Sequence, residues 1–249
     1  MQDGSTNIDH ADQQIVSVII PCRNERGTIA KIIERMPDGY EMVFVEGHSS
    51  DGTLQELCRC REGYPDRRIQ VLQQKGHGKA DAVLTGFAHA SGQVLAIFDG
   101  DMTIDPEALP GMIRLLEPGT LVMGLRLEQT MERGAMRLLN VWANRFFAWW
   151  LSRICRQPIK DALCGTKILF RSDWERMRYW PGDPFLDFTL IFEAARLGMD
   201  IKTIPLVYRA RQYGRTQIRR FYHGWLLLKM SLLATWRLRI AGRVPDHKD

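Results

Sequence analysis

Asp99 and Asp101, separated by Gly100, directly follow the apolar run Val94-Leu95-Ala96-Ile97-Phe98. A buried strand that ends in paired carboxylates can hold a divalent cation at the carboxyl edge of a sheet, where open α/β sheets bind their ligands. The chemistry this suggests is metal-assisted reaction of a phosphorylated substrate. An Asp-Gly turn after a strand is also ordinary punctuation, so the triplet takes its meaning from its neighbours. Pro21-Cys22-Arg23-Asn24-Glu25 follows another apolar run and lacks the glycine-rich fingerprint of a redox dinucleotide site. Glu46-Gly47-His48-Ser49-Ser50-Asp51-Gly52-Thr53 puts an acid at a strand end, suited to a base or ribose, with Ser50 or Asp51 as a helix cap. Lys75-Gly76-His77-Gly78-Lys79-Ala80-Asp81-Ala82 sets two lysines and two glycines at a helix start, which attracts an anion without the spacing of a Walker A loop.

These loops need a scaffold, and the apolar pattern supplies one. Ile15 to Ile20, Met42 to Val45, Ile69 to Leu72, Val94 to Phe98 and Leu121 to Met123 are short, β-branched-rich runs that read as strands. Helical patterns lie between them, at Thr28 to Met36, Thr53 to Arg61, Lys79 to Ala90 and Pro106 to Leu116. Alternation of this kind predicts an α/β fold with a mostly parallel, Rossmann-like sheet flanked by helices. Right-handed crossovers then bring the strand-terminal loops to one edge.

A chain of 249 residues accommodates one large domain, or one with a small appendage. Residues 1–14 are polar, without the basic-then-apolar order of a secretory signal, and read as a disordered lead-in. Residues 15–218 form the expected main domain, and 219–249 a basic amphipathic tail. Five cysteines without a CxxC pair suggest neither a disulfide framework nor a zinc site, and a reducing cytoplasm is the simplest setting. Net charge is only +5, yet between Ile201 and Pro245 stand ten Lys or Arg and no Asp or Glu. That asymmetry implies an anionic partner. Nucleic acid is the least supported, because no zinc-finger spacing, aromatic RNA-binding signature or helix-turn-helix pattern is present.

Taken in order, Val18-Ile19-Ile20-Pro21 with Asn24-Glu25, then Val45 to Thr53, then Gly78-Lys79-Ala80 and Asp99-Gly100-Asp101, the motifs resemble those of the inverting family-2 glycosyltransferases of GT-A fold. Within that family the chain is most similar to the dolichyl-phosphate mannose synthase type and related polyprenyl-phosphate glycosyltransferases. Asp161 to Lys167 and Arg209 to Ile218 carry this closer likeness, and the Gln-x-x-Arg-Trp of processive synthases is absent. The resemblance implies a UDP- or GDP-linked sugar donor and a Mg²⁺ or Mn²⁺ ion. It places Pro21, Asn24, Glu25, Glu46 and Asp51 on the nucleoside, with Lys79 and Asp81 in the segment over the nucleotide. Asp99 and Asp101 become the acid pair for ribose and metal, and Thr103 stands where some relatives place a further polar ligand. Gly47 replaces the family's usual second acid and His48 its usual glycine, which leaves the nucleobase open.

The mechanism implied is inverting displacement with loss of a nucleoside diphosphate, stabilised by the metal and by Arg or Lys. A polyprenyl-phosphate acceptor brings its own anionic oxygen, so Arg126, Arg133, Lys167, Arg211 and Arg215 would matter as cations. A hydroxyl acceptor instead needs a general base, Asp187 or Asp161. A non-catalytic, membrane-peripheral nucleotide-binding module is the third reading. Met136 to Ile154 and Phe221 to Ile240 mix Trp, Phe and Leu with Arg and Lys, a composition suited to lying on the cytoplasmic face of an anionic membrane. Arg145, Lys229 and Arg237 interrupt both runs, which are too short of continuous apolar residues to span a bilayer.

Overall fold

The computed structural model describes residues 15–131, 138–214 and 220–240. One seven-stranded sheet organises them, in the order β3-β2-β1-β4-β6-β5-β7. Its strands are β1 (Val16–Cys22), β2 (Glu41–Glu46), β3 (Arg68–Gln73), β4 (Val94–Ile97), β5 (Thr120–Met131), β6 (Lys167–Phe170) and β7 (Asp200–Tyr208). β1 to β4 are mutually parallel, as are β5 and β7; β6 runs antiparallel between β4 and β5.

The apolar runs are strands because both of their faces are covered. Ile19, Val43, Val45, Leu95 and Ile97 point into one core, and Val18, Ile20, Met42, Phe44 and Ala96 into the other. Side chains alternate across a strand, so burial on both sides demands continuous rather than alternating hydrophobicity. Helices α3 (Lys79–His89), α5 (Leu138–Cys155), α7 (Asp187–Arg196) and α8 (Arg220–Ala234) cover the first face. On the second lie α1 (Ile29–Arg35), α2 (Thr53–Gly63) and α4 (Leu109–Ile113). The short α6 (Arg171–Trp174) follows β6.

Three expectations need correction. The predicted helix over Pro106 to Leu116 is split into a 3₁₀ turn, Pro106–Ala108, and the short α4. Pro110 has no N–H to bond back to residue 106, so one continuous α-helix cannot form through it. β5 extends well beyond Leu121 to Met123. Two strands were not foreseen: β6, which has only four residues and opens on a lysine, and β7, which contains Pro205. Pro205 is tolerated because β7 is an edge strand, where a missing ladder donor costs little.

The two aromatic stretches form α5 and α8, the latter running into a π-helical turn, Thr235–Ile240. Phe147, Leu151 and Ile154 of the first and Leu227, Met230, Ala234 and Leu238 of the second enter the core. Trp150 Nε1 donates to Thr235 Oγ1 at 3.2 Å, tying the two helices together. Trp142, Phe146, Trp149, Trp225, Leu232 and Trp236 remain exposed. Among the described residues no helix is long and apolar enough to cross a membrane.

Candidate active site

The loops after β1, β2 and β4 converge at the carboxyl edge of the sheet and are stitched together by their own side chains. Asn24 donates its backbone N–H to Ser49 Oγ at 3.0 Å and accepts the Ser50 N–H at 2.8 Å. Glu25 N–H donates to Thr53 Oγ1, and the Thr28 hydroxyl reaches the Gly100 carbonyl at 2.6 Å. Asp51 caps α2 through the Thr53 N–H and hydroxyl, and its second oxygen receives Arg26 N–H and the Tyr213 hydroxyl. Pro21 closes this edge on β1 beside Cys22. Asn24, His48, Met102 and Leu186 all adopt positive φ, between 56° and 69°, although none is glycine. Such backbone persists only where surrounding contacts over-determine it, and here it aims the loops at one point. At His48 the ring nitrogen Nε2 lies 3.0 Å from the Gly76 carbonyl and so holds the left-handed turn.

The two acids of the triplet are each met by a cation. Lys79 Nζ sits 2.5 Å from Asp99 Oδ1, and Arg211 Nη2 lies 2.7 Å from Asp101 Oδ2. Asp101 Oδ1 accepts the N–H and hydroxyl of Thr103. Desolvation opposes the charge on Asp99, but Lys79 together with Lys167 and Arg126 outweighs it and holds the carboxyl below its ordinary range; desolvation likewise opposes the charge on Lys79, and Asp99, Asp187 and Asp101 overcome it and raise Lys79. Gly165 is the complement of this pair. A Cβ there would stand 2.3 Å from both Asp99 Oδ2 and Lys79 Nζ, so a side chain at 165 would displace the tips of that pair.

Arg211 also reaches back to Glu25 Oε1 at 2.5 Å, which joins the last segment of the domain to the first loop. Burial pushes the Glu25 carboxyl up to about 7 despite that guanidinium, with Asp101 and Asp51 adding to the rise. The folded chain therefore keeps this proton to about pH 7 while the unfolded chain releases it near 4.5, and stability falls as pH rises across that window. Glu25→Gln is expected to flatten this slope in urea midpoints taken between about pH 5 and pH 8. An unaltered slope in the variant would assign the effect to another group.

Glu46 lies buried at the end of β2, accepting from the Ser49 N–H and from Gln73 Nε2 at 3.0 Å. Against the desolvation of burial, those bonds hold its carboxyl below the ordinary range. Asp81 accepts the Gly76 N–H at 3.0 Å and so shapes the lysine-glycine loop from within α3.

The residues expected on the acceptor side are placed differently from one another. Lys167 is 0 % exposed, with its ammonium on the Cys164 carbonyl and, at 2.5 Å, on Asp187 Oδ1. It has no free surface to offer an acceptor and instead tethers Asp187 at the first turn of α7. Arg126 forks onto Asp161 at 2.7 and 2.8 Å, and its guanidinium lies 5.3 Å from the Tyr208 ring. Asp161 outweighs the desolvation of Arg126 and raises it, while Asp161, itself buried, is held down by the same pair. Arg133 and Arg215 lie outside the described residues. Sequence reasoning missed Gly165, and with it Asp183, which caps α7 by accepting the N–H groups of Phe185, Leu186 and Thr189. The Asp183-x-x-x-Asp187 spacing was the available signal, but only the helix start explains it.

Over 223 residues the chain is 27% identical to a low-salt glycan biosynthesis hexosyltransferase of Haloferax volcanii, covering 88% of this chain and 53% of that protein. It is 30% identical over 138 residues to the undecaprenyl-phosphate 4-deoxy-4-formamido-L-arabinose transferase of Edwardsiella ictaluri, covering 51% and 42%. The chain thus spans about half the length of the curated relatives it matches. Among solved structures it superimposes on glucosyl-3-phosphoglycerate synthase of Mycobacterium tuberculosis, crystallised with Mn²⁺, UDP-glucose and glycerol 3-phosphate. The TM-score is 0.67 at 21% identity, over 94% of this chain and 82% of that one, a likeness of fold. Mannosyl-3-phosphoglycerate synthase of Rubrobacter xylanophilus matches at TM-score 0.65 and 16% identity, over 95% and 77%. Residues 17–178, which include Glu25, Glu46, Asp99, Asp101 and Gly165, match the family described as Glycosyl transferase family 2, and to that family the chain belongs.

Proposed function

We propose that the chain is a metal-assisted inverting glycosyltransferase that moves a sugar from a UDP- or GDP-linked donor to a polyprenyl phosphate at an anionic membrane surface. The observation that carries this reading is the pair of contacts Lys79 to Asp99 and Arg211 to Asp101 at one sheet edge. Carboxylates and cations in alternation can share a divalent ion and a diphosphate between them.

Asp99 and Asp101 fit a Mg²⁺ or Mn²⁺ ion, of which the first usually takes one or two carboxylates and completes its shell with water and substrate phosphate. Among the described residues no cluster of three or more His, Cys, Asp or Glu gathers, so the chain itself would offer the ion these two carboxylates. When bound, the ion neutralises charge on the leaving diphosphate. Lys79 and Arg211 add positive charge at the same place, where it is worth most as the bond to the sugar breaks. Glu46, Asp51 and Asn24 hold the nucleoside side of the cleft, and Gly165 leaves room beside Asp99. Asp187, one oxygen of which is committed to Lys167, orients the first turn of α7 toward the sugar.

The acceptor reading is supported by the likeness to undecaprenyl-phosphate 4-deoxy-4-formamido-L-arabinose transferases and by the outer face of α5 and α8. Trp142, Trp149, Trp225 and Trp236 are each more than half exposed, at 67, 58, 60 and 57%. Arg145 and Arg153 lie over Trp142 and Trp149, at 5.9 and 5.2 Å from the rings, the arrangement of amphipathic side chains at a lipid interface.

The test is transfer from UDP- and GDP-sugars, with Mn²⁺ or Mg²⁺, to a polyprenyl phosphate in vesicles. Anionic vesicles should support faster transfer than neutral ones, with the advantage shrinking in high salt. Arg211→Ala should then cost more rate than Asp187→Asn, because a phosphate acceptor attacks without surrendering a proton. Transfer to a soluble hydroxyl compound instead, lost in Asp187→Asn and retained in Arg211→Ala, would replace the lipid-phosphate assignment.

A further inference from the structure

Both carboxylates assigned to the metal are already neutralised from within the chain, and one of the two cations comes from a segment that is clipped shut. Arg211 spends Nη2 on Asp101 and Nη1 on Glu25, while the second Glu25 oxygen, buried, has no partner. A buried polar atom without a partner in the chain is a place that a water, an ion or a ligand can satisfy. Two residues on, the Tyr213 ring lies directly over Gly27. A Cβ at Gly27 would stand 2.4 Å from that ring, and the Tyr213 hydroxyl reaches Asp51 at 3.3 Å. Gly214 then turns at φ +71° against the Asn24 carbonyl. Lys31 Nζ adds a bond to Gln212 Oε1 at 3.1 Å. Residues 211–214 therefore form a strap that presses one guanidinium onto the acid pair.

We infer that Arg211 is an internal stand-in for the divalent cation: metal entry at Asp101 requires Arg211 to leave it, and the released guanidinium passes to the incoming diphosphate. Resting on the donor and metal assignments above, this adds to them an order of events and a moving part. With the Arg211 guanidinium 2.7 Å from Asp101 Oδ2, a divalent ion on that oxygen meets a like charge at close range, so the two compete for the carboxylate. In the donor-free chain the strap opposes the metal. Once a nucleoside diphosphate is present, its oxygens supply Arg211 with a replacement partner, and metal and donor bind with mutual reinforcement.

The experiment measures Mn²⁺ binding to the full chain by electron paramagnetic resonance, alone and with UDP or GDP, and so needs no turnover. Arg211→Ala should tighten Mn²⁺ binding in the absence of nucleotide by about tenfold, the scale of one charge-assisted hydrogen bond. The same variant should lose most of the enhancement that the preferred nucleotide gives the native chain. Gly27→Ala, which dislodges Tyr213 and its bond to Asp51 but leaves the Asp101 and Glu25 carboxylates unaltered, should shift the donor-free affinity the same way, and it decides the matter if Arg211→Ala fails to fold. Mn²⁺ affinity that is unchanged or weaker in a folded Arg211→Ala chain, or in Gly27→Ala standing in for it, overturns the exchange. Native transfer activity alongside that result removes the exchange alone; tightened Mn²⁺ binding with no transfer to any acceptor removes the catalytic reading and leaves the exchange.

Discussion

Asp101→Asn is expected to cut glycosyl transfer by about a hundred- to a thousand-fold, the scale of losing one preorganised electrostatic contact where charge develops. The substitution keeps the side chain's volume and an oxygen that can accept from the Thr103 N–H and hydroxyl, so the loop after β4 retains its shape. What it removes is the negative charge that Arg211 and, in the proposed reaction, the metal both require. Glu25 still holds the other arm of Arg211, which limits any structural change to the site itself. Native circular dichroism with transfer reduced at saturating Mn²⁺ is the expected pair of measurements. A folded variant turning over at the native rate would remove Asp101 from the chemistry.

The second large effect is on stability. Lys167→Met leaves Asp187 buried with its nearest cation gone, and breaking a buried ion pair from one side costs about 3–5 kcal/mol. Lys79 also acts on Asp187, which sets the expectation at the lower end of that range. For a chain of this size such a loss lowers the melting temperature by roughly 10 °C. Adding Asp187→Leu should recover part of it, because two apolar side chains tolerate a core position that a lone carboxylate does not. A melting temperature for Lys167→Met within about 2 °C of the native protein would mean that the pair is solvated and not part of the core.

The meeting of the loops after β1, β2 and β4 at one sheet edge was legible in the residues themselves. Asp99 and Asp101 follow an apolar run, and an apolar run of that length bounded by turn residues has to be a strand with its end at an edge. The same logic placed Glu25 and Glu46, and the N-terminal turn of α3 with Lys79, because each lies within a few residues of such an end. The acceptor half was not legible in this way. Lys167 read as an available cation, since lysine is rarely buried, and only its partner Asp187, twenty residues on, makes burial tolerable. Gly165 lay inside the Asp161 to Lys167 motif, but its closeness to Asp99 and Lys79 was not legible there, because those residues come from other elements.

What the sequence by itself determined, then, is the local half of the architecture: β1 to β4, the helices between them and the loops at their ends. Periodicity, turn residues and caps act over a few residues, and their preferences are written in neighbouring side chains. The tertiary structure alone decided that β6 enters the sheet antiparallel between β4 and β5, that Lys167 closes on Asp187, and that Arg211 crosses 110 residues to reach Asp101. Those contacts depend on which segments pack together, and a charge becomes a tether, a ligand or a stand-in for a metal only once packing has set its distance from another and shielded the pair from water.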